Sequence, residues 1–163
     1  MKSLKYFFQF LIIMFFFILF KILGIKHASN FSRKIMALIG PFFRSQEIIK
    51  SNLLKAMPNL NSNELEKIIK KMWENYGRIL SEYIFIKDFR GSSLDTNLKI
   101  RGQEILNKIQ NDNEPVIFVS GHFSNFELMA MHIEKSGIQL AAVYRPLNNK
   151  FLNLVMERIR KKY

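Results

Sequence analysis

The sequence predicts an α/β fold: an amino-terminal membrane helix and a helical membrane-proximal region, then a partial parallel or mixed sheet with flanking helices. Three observations predict it. Residues 6–20 form an uncharged apolar run. Apolar side chains then recur at threes and fours through residues 65–83. Beyond residue 91, short β-type runs alternate with helical stretches, the signature of βαβ units. The chain divides accordingly into an anchor (1–25), a helical region (26–90) and the amino-terminal part of an α/β domain (91–163).

In the first segment Gln9 is the one strongly polar side chain between Tyr6 and Phe20. Extending it over residues 4–25 adds Lys5 and Lys21, both near the ends, where lysine snorkels. Each apolar residue gains roughly 0.3–0.6 kcal/mol on insertion, and a span needs about 20 of them. The run therefore suits a short span or a deep interfacial helix. A signal peptide would carry small residues before its cleavage site, yet cleavage after Ala28 would put Lys26 at the −3 position. A soluble core seldom takes a helix apolar all round. Lys2 and Lys5 precede the run, while Lys21, Lys26, Arg33, Lys34 and Arg44 follow it. That bias places the rest of the chain on the cytoplasmic side.

Ser29-Asn30 is expected to cap a helix closed by Gly40-Pro41. Its apolar residues Phe31, Ile35, Leu38 and Ile39 oppose Arg33 and Lys34. Such a helix lies on anionic lipid or packs on a core with its basic face in water. A second helix is expected over 46–57, then a turn at Pro58-Asn59-Leu60-Asn61. Asn61 and Glu64 form a capping box for a long helix reaching about residue 86, with Trp73 in the core and Glu82 solvated near its end. Arg90-Gly91-Ser92-Ser93 breaks it. Expected next are a strand at 98–101, a helix at 102–110, a buried strand at 116–120, a helix at 125–135, a strand at 138–144 and a helix at 150–162.

Lysine and arginine number 25 against 13 acidic residues, a net charge of +12. An anionic partner follows, either nucleic acid or acidic lipid headgroups. The chain lacks the glycine-rich loop, stacked-aromatic sheet motif or zinc module of nucleic-acid binders, and the apolar run argues for lipid. With no cysteine, disulfides, thiol catalysis and thiolate metal sites are excluded. His27, His122 and His132 follow no zinc spacing, so no metal is expected.

The chemistry concentrates in Gly121-His122-Phe123-Ser124-Asn125-Phe126-Glu127. His122 falls at the mouth of a strand-to-helix turn, where α/β folds expose reactive groups, and Glu127 follows five positions on. A carboxylate on one ring nitrogen fixes the tautomer and stabilises the imidazolium, so the other nitrogen can take a proton from a hydroxyl. Such general-base help is worth about 10²–10⁴ in rate. Against a thioester, a base and an oxyanion site suffice without a protein nucleophile. Two plainer readings stay open: Ser124 and Glu127 as a capping box, and His122 as a solvated turn residue.

This block resembles the H-x4-[DE] block of the lysophospholipid acyltransferase superfamily. With Val143-Tyr144-Arg145-Pro146-Leu147-Asn148-Asn149, Asn52-Leu53 ahead of Met57-Pro58, and Trp73-Glu74-Asn75-Tyr76-Gly77-Arg78 leading to Glu82, it is similar to the late acyltransferases of lipid A biosynthesis, over nearly the whole chain. The resemblance implies an acyltransferase of the lauroyl or myristoyl transferase type. Such an enzyme moves a fatty acyl group from acyl carrier protein to a hydroxyl of a Kdo-bearing lipid A precursor, at the cytoplasmic face of the bacterial inner membrane. It implies His122 as base, Glu127 as its partner and no cofactor beyond the acyl donor. It also implies a functional arginine after the Tyr-Arg-Pro block, Arg158 or Arg160 with Arg160 favoured. Arg145 either holds phosphate or serves as a turn residue before Pro146. Ser124 and Phe126 replace the glycine and tryptophan frequent in the family. Family members run to roughly twice this length, so a partial gene product is expected, and its activity alone is left open. The alternatives are acylation of a lysophospholipid or another glycolipid, and a non-catalytic membrane protein that binds anionic lipid.

Overall fold

The computed structural model describes residues 2–91, 94 and 97–161. Ser92 and Ser93 of the expected breaker and Lys162, the last residue of the expected carboxy-terminal helix, lie outside that set. The chain forms two compact units, Leu19–Tyr83 and a second built from the residues up to Ile18 with those from Ile84 onward.

Helix α1 (Lys2–Ile39) begins in the second unit and ends in the first. Its backbone leaves the helical region at Gly24 (φ 70°, ψ 162°), a left-handed φ that glycine takes without steric cost. The helix boundary expected at Ser29-Asn30 is therefore not there. Ser29 is helical, and its hydroxyl donates to Glu82 Oε1 (3.2 Å) rather than capping. Among the described residues, α1 with its following turn is the one helix long and apolar enough to cross a membrane. Only 11% of its most apolar window is buried in protein, unlike a core helix.

In the Leu19–Tyr83 unit, a 3-10 turn (Gly40–Phe42) closes α1 at the expected Gly-Pro. Helix α2 (Gln46–Ala56) and helix α3 (Ser62–Glu82) follow. The capping box forms as read: Glu64 N donates to Asn61 Oδ1 and Asn61 N to Glu64 Oε2, both at 3.0 Å. Ile49, Leu65, Ile69 and Trp73 make the core, with Met36, Leu53, Leu60 and Met72 against it. The α1 and α3 backbones touch: a Cβ on Gly77 would lie 2.4 Å from the Ser32 carbonyl oxygen. Arg33 pairs with Glu74 at 3.3 Å. Glu82 is thus a helix–helix partner of Ser29, not a solvated end residue.

A 3-10 turn (Tyr83–Phe85) leads into helix α4 (Ile86–Gly91) of the other unit, so the long helix stops at Glu82 and the chain reaches residue 91 by a separate turn. Helices α5 (Gln103–Asp112), α6 (Glu127–Lys135) and α7 (Lys150–Arg160) complete it. Helix α4 packs on α6, where Arg90 and Glu134 form an ion pair. That hydrogen bond holds the Glu134 carboxyl below, and the Arg90 guanidinium above, their ordinary values. His132 Nε2 and Gln103 Oε1 join α6 to α5 at 2.7 Å. The start of α7 docks on the start of α1. Phe151 packs against Phe7 and Phe10, and the buried Asn149 amide donates to the Tyr6 carbonyl (2.8 Å) while its oxygen caps Phe151 N and Leu152 N.

The sheet is where sequence and structure part. No strand forms among the described residues, so the described chain is helical rather than α/β. The runs at 98–101, 116–120 and 138–144 carry no ladder. Ile117 (91%) and Val119 (92%) are exposed, against the expectation of a buried strand at 116–120. A β-type run is locally legible, but a strand exists only when a neighbour about 4.8 Å away exchanges N–H···O bonds with it. Among the described residues no neighbour does so.

Candidate active site

Tight turns carry the chain from Ser120 into α6. Phe123 N bonds the Gly121 carbonyl (2.9 Å) and Phe126 N the Ser124 carbonyl (3.2 Å). Ser124 takes a left-handed φ of 49°. Helix α6 then starts at Glu127 behind Phe126, with no side-chain cap. The capping box between Ser124 and Glu127 is absent, so that plainer reading of the glutamate falls.

Glu127 is buried, 5% exposed, and Arg160 takes its carboxylate. Arg160 Nε donates to Oε1 (3.0 Å) and Oε2 (3.3 Å), and Nη2 also donates to Oε1. A planar guanidinium fits a carboxylate in this forked way better than any other cation. The same guanidinium lies over the Tyr144 ring, 5.1 Å from its centroid. The Tyr144 hydroxyl donates to Glu157 Oε1 (2.9 Å), which also accepts from Asn153 Nδ2 (2.7 Å). Asn153 in turn accepts from Leu147 N at 3.0 Å. The bond to Glu157, then burial and the Glu157 charge, push the Tyr144 phenol above its usual pKa. Glu157 is the acceptor that fastens the Tyr-Arg-Pro block to α7 through the Tyr144 hydroxyl.

His122 is exposed on the same turn, its ring edge-on to Phe126 with centroids 4.4 Å apart. The structure brings Glu127 to Arg160; no hydrogen bond joins His122 to Glu127 among the described residues. Of the two arginines that spacing left open, Arg158 is exposed and Arg160 pairs with Glu127. Arg145 is exposed ahead of Pro146. Asn125, to which the spacing argument gives no role, has an amide nitrogen and oxygen both buried without a hydrogen-bond partner among the described residues. Its place between His122 and Glu127 was the available signal. An open cleft of about 1000 Å³ is lined by Ile109, Phe118, Ser120, Met129, Ile133 and Leu140 among others. No cluster of three or more metal-donor side chains occurs among the described residues.

Among the described residues the chain is thus helical, with one helix long and apolar enough to cross a membrane and with Glu127 clamped by Arg160. Residues 1–163 match the family model for bacterial lipid A biosynthesis acyltransferases, and the chain belongs to that family. It is 28% identical over 126 residues to the lipid A biosynthesis palmitoleoyltransferase of Escherichia coli (strain K12), a match covering 77% of this chain and 41% of the relative. The lipid A biosynthesis acyltransferase of Shigella flexneri matches with the same identity and coverage. The matched region thus spans about two fifths of these curated relatives. No solved structure matches the chain.

Proposed function

We propose that this protein acts in acyl transfer to lipid A, moving a fatty acyl group from acyl carrier protein to a hydroxyl of a Kdo-bearing precursor at the cytoplasmic face of the inner membrane. The observation that carries the reading is the Glu127–Arg160 clamp. It ties the His122–Glu127 block to α7, the helix that follows the Tyr-Arg-Pro block, through two residues 33 positions apart in the chain.

The step is a substitution at a thioester. His122, exposed to an incoming hydroxyl, takes its proton. The hydroxyl oxygen bonds to the acyl carbonyl carbon, and the resulting oxyanion is met by backbone N–H groups at the start of α6 or by an arginine. Collapse breaks the C–S bond and releases the carrier thiolate, which the imidazolium can reprotonate. Glu127, whose carboxylate Arg160 holds and which does not bond His122 in this structure, has to turn toward the imidazole to supply its countercharge as it gains a proton. The open cleft lined by Ile109, Phe118, Met129, Ile133 and Leu140 is within the size range of small-molecule sites and offers apolar surface to a hydrocarbon chain. The basic balance of the chain suits an acidic carrier and a phosphorylated glycolipid.

Lipid A mass spectrometry in the native host tests the reading. Deleting the gene should remove one secondary acyl chain, restored by the wild-type gene. An unchanged lipid A with an altered phospholipid pattern would instead assign the chain to glycerolipid acylation.

A further inference from the structure

We infer that the turn after α1 is a second membrane contact, in which Phe42 and Phe43 insert into the headgroup boundary of an anionic leaflet. This rests on the membrane reading of α1 given above.

Inside the Leu19–Tyr83 unit, the second half of α1 has a clear inner face. Ala28, Ser32 and Gly40 are buried at spacings of four and eight. Gly77 meets the backbone at Ser32, and Trp73 meets Gly40. The opposite face, with Phe31, Lys34 and Leu38, is exposed. That face runs into a turn that is fixed rather than loose. A Cβ on Gly40 would lie 2.4 Å from the Trp73 ring, Pro41 sets the next φ, and Phe43 N bonds the Gly40 carbonyl (2.9 Å). The core therefore holds the turn in place while its two phenylalanines stand almost fully in water, Phe42 at 87% and Phe43 at 70%. Leu38 beside them is 74% exposed.

Contiguous apolar surface held rigidly outward marks an interaction site. The chain itself indicates the occupant. The patch continues the same chain as the span-length apolar helix, so it works within tether reach of a bilayer. Exposed Lys34 and Arg44 flank it, placed to meet lipid phosphates as the rings sink. Phenylalanines rimmed by basic residues are the composition of an interfacial insertion, whereas a protein-docking core is depleted in charge close by.

The absence of cysteine makes single-site labelling of the full chain clean. Phe42→Cys, Phe15→Cys and Lys70→Cys would each carry an environment-sensitive fluorophore, reconstituted in phosphatidylcholine vesicles with about 30 mol% phosphatidylglycerol. Phe15 reports the apolar helix and Lys70 an exposed site on α3. The Phe42 label should be quenched by nitroxide-bearing lipid and shielded from aqueous iodide about threefold relative to Lys70. Adding Lys34→Glu and Arg44→Glu should return most of the iodide access, and no return would overturn the role given to the two cations. If the Phe15 label is embedded but the Phe42 label is as open to iodide as Lys70, the second contact is refuted and the anchor stands. If neither label is embedded, the membrane reading itself fails. Shielding from iodide without quenching by nitroxide lipid would mean that protein, not lipid, covers the turn, and would overturn the assignment.

Discussion

Removing the guanidinium of Arg160 should cost more than removing any other carboxy-terminal arginine. Arg160 makes a forked pair with a carboxylate that is 5% exposed, and its own side chain is 29% exposed. A hydrogen bond to a charged group is worth about 1.5–3 kcal/mol, and breaking a buried pair costs about 3–5 kcal/mol. Partial exposure of Arg160 brings the expected loss for Arg160→Met to about 2–3 kcal/mol, or roughly 5–10 °C in Tm for a chain of this size. Arg158, in solvent on the same helix, should change stability by less than about 0.5 kcal/mol when replaced by Met. Far-UV circular dichroism melts of the detergent-solubilised chain would measure both. Combining Arg160→Met with Glu127→Gln completes a double-mutant cycle, and direct contact predicts a coupling of about 1–3 kcal/mol. Additive losses, or equal effects at Arg158 and Arg160, would refute the clamp.

Other expectations follow from the same packing. Asn149→Ala should lower stability by about 1–2 kcal/mol, because one amide caps α7 and holds the Tyr6 carbonyl; a loss confined to α7 helicity would show that the bond to α1 adds nothing. Gly77→Ala should cost about 1–3 kcal/mol despite the better helix propensity of alanine, because the new methyl meets the α1 backbone; a more stable variant in the same melts would refute that close approach. The Tyr144 phenol is raised in the folded state, so its contribution is complete below the unfolded tyrosine pKa and disappears as pH rises through the folded value. Absorbance at a phenolate wavelength, as the difference between wild type and Tyr144→Phe, should show its late ionisation, and Glu157→Gln should move it earlier. The Glu134 carboxyl is depressed by Arg90, so the gap between wild type and Glu134→Gln should exist above the unfolded carboxyl pKa and close as pH falls through the folded one, read from urea midpoints across the acid range.

Local chemistry was legible in the sequence wherever it acts over a few residues. Asn61 and Glu64 satisfy each other three positions apart, Gly40-Pro41 ends a helix on its own, and the 3.6-residue repeat put Ile69 and Trp73 in the core. What was not legible needed a distant partner. Gly24 breaks α1, while Ser29, a sound cap by type, is drawn into helix by packing on α3 and a bond to Glu82. Runs such as 116–120 have strand composition, but composition cannot supply a neighbouring strand. At the site, spacing drew attention to His122 and Glu127 and left Arg158 and Arg160 as alternatives. Only the fold showed which arginine faces the carboxylate, and only burial singled out Asn125.

The most direct test of the central claim is acyl transfer by host membranes carrying the His122→Ala protein, assayed with acyl carrier protein thioester and the Kdo-bearing precursor. The proposed chemistry predicts loss of transfer by about 10²-fold or more with membrane attachment unchanged. Transfer at the wild-type rate by the alanine protein would contradict it.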